Sequence, residues 1–330
     1  MSETAQHKAI RRLGAVADCP EALRGGVVAI GNFDGLHRGH QAVLGKAHDI
    51  ARADARPLLC LTFEPHPRTV FSPDAPVARI TPAPMKARLL GLLGFDAVIE
   101  QNFTRAFAGI APEAFETDIL AGALGAAHVV AGFDFHYGAR RSGTPASLVA
   151  AGARFGFGAT LVPEFDDEGG TVISSSRIRT ALRSGAVEAA AGLLGYRFTI
   201  RGQVVHGKKL GRTLGYPTAN LVLEDELLAH GIYAVRFRRA DGTLHDGVAS
   251  YGRRPTFDDG AALFETFLFD FAGDLYGETV EVAVVSRLRG EVKFDSAEAL
   301  VVQMDKDAAE ARAMLADLSP LSPLDRALVF

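Results

Sequence analysis

Apolar runs along this chain change their spacing once, and that change constrains the fold more than any other feature. Up to about residue 165 the runs are separated by segments long enough for helices. "GGVVAI" precedes "RGHQAVLGKAHDIARADA", "RPLLCLTF" precedes "PAPMKARLLGLLG", "FDAVIEQ" precedes "PEAFETDILAGALG", "AAHVVAGF" precedes "ASLVAAGARFG", and "ATLVPEF" ends the series. Strands alternating with crossover helices make βαβ units, so the first half is expected to be a doubly wound parallel α/β domain. From Tyr196 the runs come at short spacing: "RFTIRGQVV", "GIYAVRFRR", "LHDGVASYG", "LFETFLFDF" and "ETVEVAVVSRLR", with turns such as "ADGT" and "FAGD" between them. That pattern predicts an antiparallel β-barrel or sandwich. "SSSRIRTALRSG" and "AVEAAAGLLG" read as two short helices at the junction. "DSAEALVVQMDKDAAEARAMLADL", with an N-cap at Asp295 or Ser296, reads as one C-terminal helix. The expected domains are residues 1–185 and 186–330.

A length of 330 residues suits two domains better than one core. Apolar residues make up 48% and charged residues 22%, and no apolar run reaches the ~18 residues of a membrane helix, so no membrane partner is expected. "MSETAQHKAIRRLGAV" lacks an apolar core with a small-residue cleavage site, which makes the cytoplasm the expected location. Cys19 and Cys60 form neither a CxxC pair nor metal-ligand spacing and are expected to be ordinary thiols. A net charge of −4 argues against a whole-surface polyanion binder and leaves local basic patches to be found.

"GNFDGLHRGH", Gly31 to His40, follows the first strand of the α/β series. In such sheets ligands sit at the carboxyl ends of strands, and a glycine-rich turn into a helix N-terminus offers N–H groups to phosphate. His37 and His40, three apart, can then stabilise charge developing on a phosphoryl group. A loop with solvated histidines and half of a metal site are the other readings, though His48 and His66 are not in ligand spacing. "TFEPHP", Thr62 to Pro67, ends the second strand, so Glu64 and His66 line the same crevice unless the prolines only stop the strand. "ISSSRIR", Ile173 to Arg179, places hydroxyls at a helix start ahead of two arginines, which suits a polyphosphate or a plain N-cap.

From Ala189 to Leu223 there is no acidic residue, while Arg197, Arg201, Lys208, Lys209 and Arg212 fall within the stretch. Its "HGKKLGRTLGYPTANL" carries Gly207, Gly211 and Gly215 ahead of Thr218 and Asn220. Backbone N–H groups at such glycines can meet phosphates, and the Thr218 hydroxyl and Asn220 amide oxygen are hard donors suited to Mg²⁺. A basic hairpin loop with a Pro-Thr turn is the alternative. Glu265, in "LFETFLFDF", shares a strand face with Leu263, Phe267 and Phe269 by alternation, an apolar setting that suits a general base or a strand-end partner of an arginine.

Together, the HxGH turn and the Ser-Ser-Ser-x-x-Arg segment resemble the nucleotidylyltransferase superfamily, in which the first holds an α-phosphate and the second the β- and γ-phosphates. "GRTLGYPTANL", "GIYAV", "YGRRPTF" and "ETFLFDFAGDLYGE", in that order, resemble the riboflavin kinase family. With "LTFEPHP" and "GFDFHYG" added, nearly the whole chain resembles the bacterial bifunctional riboflavin kinase/FMN adenylyltransferases, or FAD synthetases. The resemblance implies ATP-dependent phosphorylation of riboflavin to FMN in the second domain. It implies adenylyl transfer from ATP to FMN, giving FAD and pyrophosphate, in the first.

Site roles follow from the same resemblance. Glu265, His37 and His40 would be catalytic, and Thr218 and Asn220 would hold Mg²⁺. ATP phosphates would meet Gly31, Asn32, Phe33, Asp34, Gly39, Ser174, Ser175, Arg177 and Arg179 in one site, and Gly207, Lys209, Gly211, Gly215 and Thr218 in the other. Flavin would meet Phe63, Pro65, His66, Phe133, Asp134, Phe135 and Arg254. Two positions depart from the family pattern: His136 stands where Arg is usual, and Phe267 where His is common. The competing readings are a nucleotidylyltransferase with another acceptor and a non-catalytic barrel, and a nucleic-acid-binding barrel. Against the second, Gly202 to Gly215 holds no aromatic stacking platform, so no nucleic-acid partner is expected. A monomer or weak oligomer acting on small molecules is the expectation.

Overall fold

The apolar runs of the first half become parallel strands in the computed structural model, which describes residues 10–206, 218–223, 225–252 and 262–330. These are β2 (Val27–Ile30), β3 (Leu58–Glu64), β4 (Ala97–Asn102), β5 (His128–Gly132) and β6 (Gly158–Val162). A short β1 (Arg11–Leu13) joins the edge, giving the order β1-β4-β3-β2-β5-β6 with every pair parallel. All four residues of β2 are buried, the signature of a strand covered on both faces. The crossovers carry α1 (Arg38–Ala53), α2 (Pro67–Phe71), α3 (Ala83–Leu92), α4 (Arg105–Ala108), α5 (Pro112–Ala114), which runs into a π-helical stretch Phe115–Ala123, and α6 (Pro145–Phe155). The strand order reverses between β2 and β5, so a crevice opens outside their carboxyl ends. Cys60 is buried in β3, where desolvation pushes its thiol up to about 12, and both cysteines are free.

The chain divides into compact units Met1–Ser174 and Ser175–Phe330. Thus α7 (Ser175–Ser184), which precedes the sequence-drawn boundary at 185/186, groups with the second unit beside α8 (Val187–Leu194). The second unit's sheet consists of β7 (Thr199–Gln203), β8 (Thr218–Val222), β9 (Gly231–Arg238), β10 (Leu244–Gly252), β11 (Leu263–Leu268) and β12 (Thr279–Arg289). Its order is β7-β12-β9-β10-β11-β8, antiparallel throughout. The Val205 N–H donates to the Asn220 carbonyl at 2.9 Å, which nearly closes the sheet into a barrel.

The expected C-terminal helix is α9 (Ala297–Ala316), whose N-cap Ser296 accepts from the Ala299 N–H at 3.1 Å. A further α10 (Pro323–Val329) follows, capped by Ser322. Its Asp325 is 0% exposed and accepts from the Arg197 guanidinium and, at 2.9 Å each, from the Arg197 and Leu321 N–H groups. Breaking a buried ion pair leaves an uncompensated charge, so Asp325→Ala is expected to cost about 3–5 kcal/mol. Urea unfolding followed by circular dichroism measures this, since the chain has no Trp. A loss below ~1 kcal/mol would mean that Arg197 regains water, as at an exposed pair.

Candidate active site

Gly31 and Asn32 leave β2 at its carboxyl end and the chain turns back into α1. A Cβ on Gly31 would stand 2.9 Å from the Phe33 ring, so only glycine lets that ring fold over the strand end. Gly35 takes φ +89, and Phe33 and Leu36 are also left-handed at φ 47 and 36. Asp34 anchors this strained turn: its carboxylate accepts from the N–H groups of Thr81 at 3.0 Å and Ile80 at 3.3 Å, while the Thr81 hydroxyl accepts from the Gly35 N–H at 2.8 Å. At 2% exposure, Asp34 faces the protein interior and does not line the cleft.

His37 caps α1, its Nδ1 accepting from the His40 N–H at 3.3 Å, so the neutral ring carries its proton on Nε2. The two imidazoles stack with centroids 3.6 Å apart, and His40 meets the Phe33 edge at 5.4 Å. Gly39 lies against the His37 ring. His40 Nδ1 and Asn32 Oδ1 are buried without a hydrogen-bond partner among the described residues. Orphaned buried polar atoms are costly and mark a place for a ligand's own polar groups. The half-metal-site alternative gains no support, because among the described residues no three His, Cys, Asp or Glu side chains group to hold an ion.

Burial lowers His37 to about 4, with the Asp34 charge opposing. His40 is also held well below its ordinary range, by burial first and then by the charges of His37 and Lys86. Both rings are therefore neutral donors near pH 7. Below pH ~6.5 the unfolded chain binds a proton that folded His37 refuses until about pH 4. This unit is expected to lose about 3 kcal/mol of stability across that window, at 1.36 kcal/mol per unit of pKa difference. Chemical unfolding of wild type and His37→Gln at several pH values measures it, and a wild-type loss no steeper than the variant's would contradict it.

The turn opens on a cleft of about 450 Å³. Asn32, Phe33 and His40 form one end. One wall is aromatic: Phe63 lies 5.6 Å from Phe103 and 6.0 Å from Phe107, and Phe71 lies 6.2 Å from Phe103. Phe135 and Tyr137, stacked at 5.6 Å, line the cleft from the segment after β5. The Tyr137 hydroxyl donates to Glu116 at 2.5 Å and lies 3.0 Å from Ser147; burial and then the Glu116 carboxylate push the phenol well above its usual range. Arg68, Arg140 and Arg141 also line the cleft, and none has an ion-pair partner among the described residues.

Among the flavin-side residues expected from sequence, Phe63, Asp134 and Phe135 line the cleft. Phe133 points outward at 45% exposure. Pro65 and His66 do not line it, because His66 Nδ1 accepts from the Arg68 N–H at 3.2 Å and caps α2. His136 is at the cleft with its Nδ1 2.8 Å from the Asp134 carbonyl. Glu64 turns away from the cleft to Arg79 and Lys86. Sequence reasoning missed Phe71, Phe103, Phe107, Tyr137 and the three arginines. Only the i,i+4 spacing of Phe103 and Phe107 was available as a signal.

The "ISSSRIR" segment straddles the two units. Ser174 closes the first, while Ser175, Arg177 and the buried Arg179 lie on α7 in the second. In the barrel, Glu265 pairs with Asn220 on one side and Ser250 on the other, and Phe267 pairs with Thr218. Directly opposed residues of antiparallel strands share a face, so Thr218, Asn220 and Glu265 come together. The apolar setting expected for Glu265 needs correction. The buried face of β11 carries Phe264, Thr266 and Leu268, whereas Leu263, Glu265 and Phe267 are half-buried, and Phe269 is buried beyond the strand end. Gly207, Lys208, Lys209, Gly211, Arg212, Gly215 and Arg254 lie outside the described residues.

A doubly wound unit with a histidine turn at its switch point, followed by a nearly closed antiparallel barrel, marks a two-unit nucleotide-dependent transferase. Residues 19–177 match the FAD synthetase family and residues 194–315 the riboflavin kinase family. A bifunctional riboflavin kinase/FMN adenylyltransferase of Listeria monocytogenes is 42% identical over 296 residues, covering 88% of this chain and 93% of that protein. One from Escherichia coli K12 is 38% identical over 306 residues, 92% of this chain and 97% of that protein. A crystal structure described as a macrolide-efflux protein from Streptococcus pneumoniae matches with a TM-score of 0.79 at 35% identity, covering 94% of this chain and 100% of that one. Among the described residues no helix is long and apolar enough to cross a membrane. The chain belongs to the bifunctional riboflavin kinase/FMN adenylyltransferase family.

Proposed function

We propose that this chain makes FAD from riboflavin in two ATP-dependent steps, with residues 186–330 forming FMN and residues 1–185 converting FMN to FAD. The observation that carries the second step is the cleft itself: an aromatic wall fit for a flat ring, beside Asn32 and His40, whose buried polar atoms await partners. An FMN phosphate oxygen attacks the α-phosphorus of ATP, the bond from that phosphorus to the bridging oxygen breaks, and pyrophosphate leaves. His37 and His40 donate hydrogen bonds to the α-phosphoryl oxygens, where charge builds up. Ser174, Ser175, Arg177 and Arg179 suit the departing pyrophosphate, and the FAD synthetase match extends to residue 177. Arg68, Arg140 and Arg141 give the cleft the positive charge that two converging phosphates need.

In the barrel, Glu265 takes the proton of the ribityl terminal hydroxyl as that oxygen attacks the γ-phosphorus, and ADP leaves. The Thr218 hydroxyl and Asn220 amide oxygen, sharing a face with the Glu265 carboxylate, are a donor set that fits Mg²⁺. Bound there, Mg²⁺ would neutralise phosphate charge. Incubation with riboflavin, ATP and Mg²⁺ followed by chromatography is expected to show FMN and then FAD. Failure to phosphorylate riboflavin while adenylylating another acceptor would favour a nucleotidylyltransferase with a non-catalytic barrel.

A further inference from the structure

Behind the β2 turn lies a cluster of four charged side chains that neither reaction uses. Arg79, 13% exposed, donates through its two terminal nitrogens to Glu64 at 2.6 and 2.8 Å, and through Nε to Asp34 at 3.4 Å. Lys86, on α3 and 0% exposed, donates to Glu64 at 2.9 Å and to the Thr62 hydroxyl at 3.0 Å. That hydroxyl donates in turn to the Asn32 carbonyl at 3.1 Å. Two cations and two carboxylates balance, as burial requires. Such clusters are weak as stabilisers, because desolvation offsets their attraction. What this one does is geometric. Asp34 and Asn32 belong to the phosphate turn, Glu64 and Thr62 to the end of β3, and the cluster joins the two.

The turn needs such a tie. Phe33 and Leu36 hold left-handed backbone at φ 47 and 36, conformations that cost roughly 1–3 kcal/mol each and persist only where the surroundings over-determine them. Burial by itself would raise the Glu64 carboxyl, but the Arg79 hydrogen bonds and the charges of Lys86 and Arg79 outweigh it and hold it at about 2. Glu64 thus keeps its charge at any pH near neutrality, while burial and then the Arg79 charge lower Lys86.

We propose that Arg79 is a positioning residue for adenylyl transfer: by clamping Asp34 to Glu64, it fixes the strained turn that presents Asn32 and His40 to the α-phosphoryl group. Lys86 secures the same turn from the other side, through Thr62. The proposal rests on the adenylyl-transfer reading of this cleft. Positioning acts on charge that develops in the transition state, so it shows in kcat rather than KM.

The test uses the full chain with FMN and ATP supplied, comparing wild type, Arg79→Gln, Arg79→Lys and Glu64→Gln. Arg79→Gln is expected to lower kcat for FAD formation by about 10- to 100-fold with KM values within about threefold of wild type. Riboflavin phosphorylation is expected to be unchanged, which shows that the second unit is intact. Arg79→Lys keeps the charge but not the fork and is expected to recover part of the loss. In Arg79→Gln the acid limb of the FAD-forming pH profile is expected to move to higher pH, because Glu64 loses its main partner but stays buried.

A lower melting temperature with kcat unchanged would make the cluster merely structural and overturn the proposal. So would a raised KM with kcat unchanged. If Arg79→Gln does not fold, Glu64→Gln decides, since it keeps the shape while weakening the clamp: kcat must fall there too. Absence of FAD formation in wild type would refute the adenylyl-transfer reading itself, a result distinct from any variant failing.

Discussion

His40→Ala is expected to stop FAD synthesis and let FMN accumulate, with adenylyl transfer from supplied FMN falling about 10²–10³-fold, as when one preorganised donor to a developing oxyanion is removed. The structure gives this prediction a second part. His40 Nδ1 is buried without a partner among the described residues, so its removal breaks no hydrogen bond at that atom and relieves an unsatisfied one. What is lost is stacking on His37 at 3.6 Å and an edge contact with Phe33. The variant is therefore expected to unfold no more than slightly more easily than wild type while losing most of its adenylyl transfer. A site that gives up stability for chemistry behaves this way. Product chromatography and a melting curve measure the two parts. FAD formation near the wild-type rate would remove His40 from the mechanism. A large loss of both stability and activity would make it a core residue instead.

Glu265→Gln is expected to do the reverse. Removing a general base typically costs about 10²–10⁴-fold, and FMN formation is expected to fall within that range. Conversion of supplied FMN to FAD is expected to continue at the wild-type rate. The change is isosteric and the strand register to Asn220 and Ser250 does not depend on charge, so the barrel is expected to keep its fold. Phosphoryl transfer leans heavily on positioning and charge neutralisation. A nearly unimpaired kinase in Glu265→Gln would therefore mean that Thr218, Asn220 and the bound phosphates carry the reaction without a side-chain base.

Most strands were legible because each apolar run is long enough to stand out by itself. Those that were not have local reasons. β1 is Arg-Arg-Leu and β8 begins Thr-Ala-Asn, so neither shows an apolar run, and each exists through its pairing with β4 or β11. α10 follows a proline-rich stretch, though Ser322 and Pro323 already form an N-cap with proline at the first helical position. Within the cleft, Asn32, Phe33 and His40 were legible because one short segment holds them. The aromatic wall beyond Phe63 and Phe135 was not, since Phe71, Phe103 and Tyr137 arrive from separate segments of the chain. Glu64 and His66 were read into the crevice, yet Glu64 pairs with Arg79 and Lys86, and His66 caps a helix.

The sequence by itself determined what depends on near neighbours: the alternation that builds a parallel sheet, the short spacing that builds a barrel, and the glycine-histidine turn at the end of β2. Backbone preferences and side-chain periodicity act over a few residues, so they are written locally. Only the tertiary structure decided which polar groups face the ligand and which hold the turn in place. Asp34 and Arg79, 45 residues apart, meet because the segment between α2 and α3 packs against the turn after β2, and charges so separated in the chain find each other only once folding has excluded the water between them.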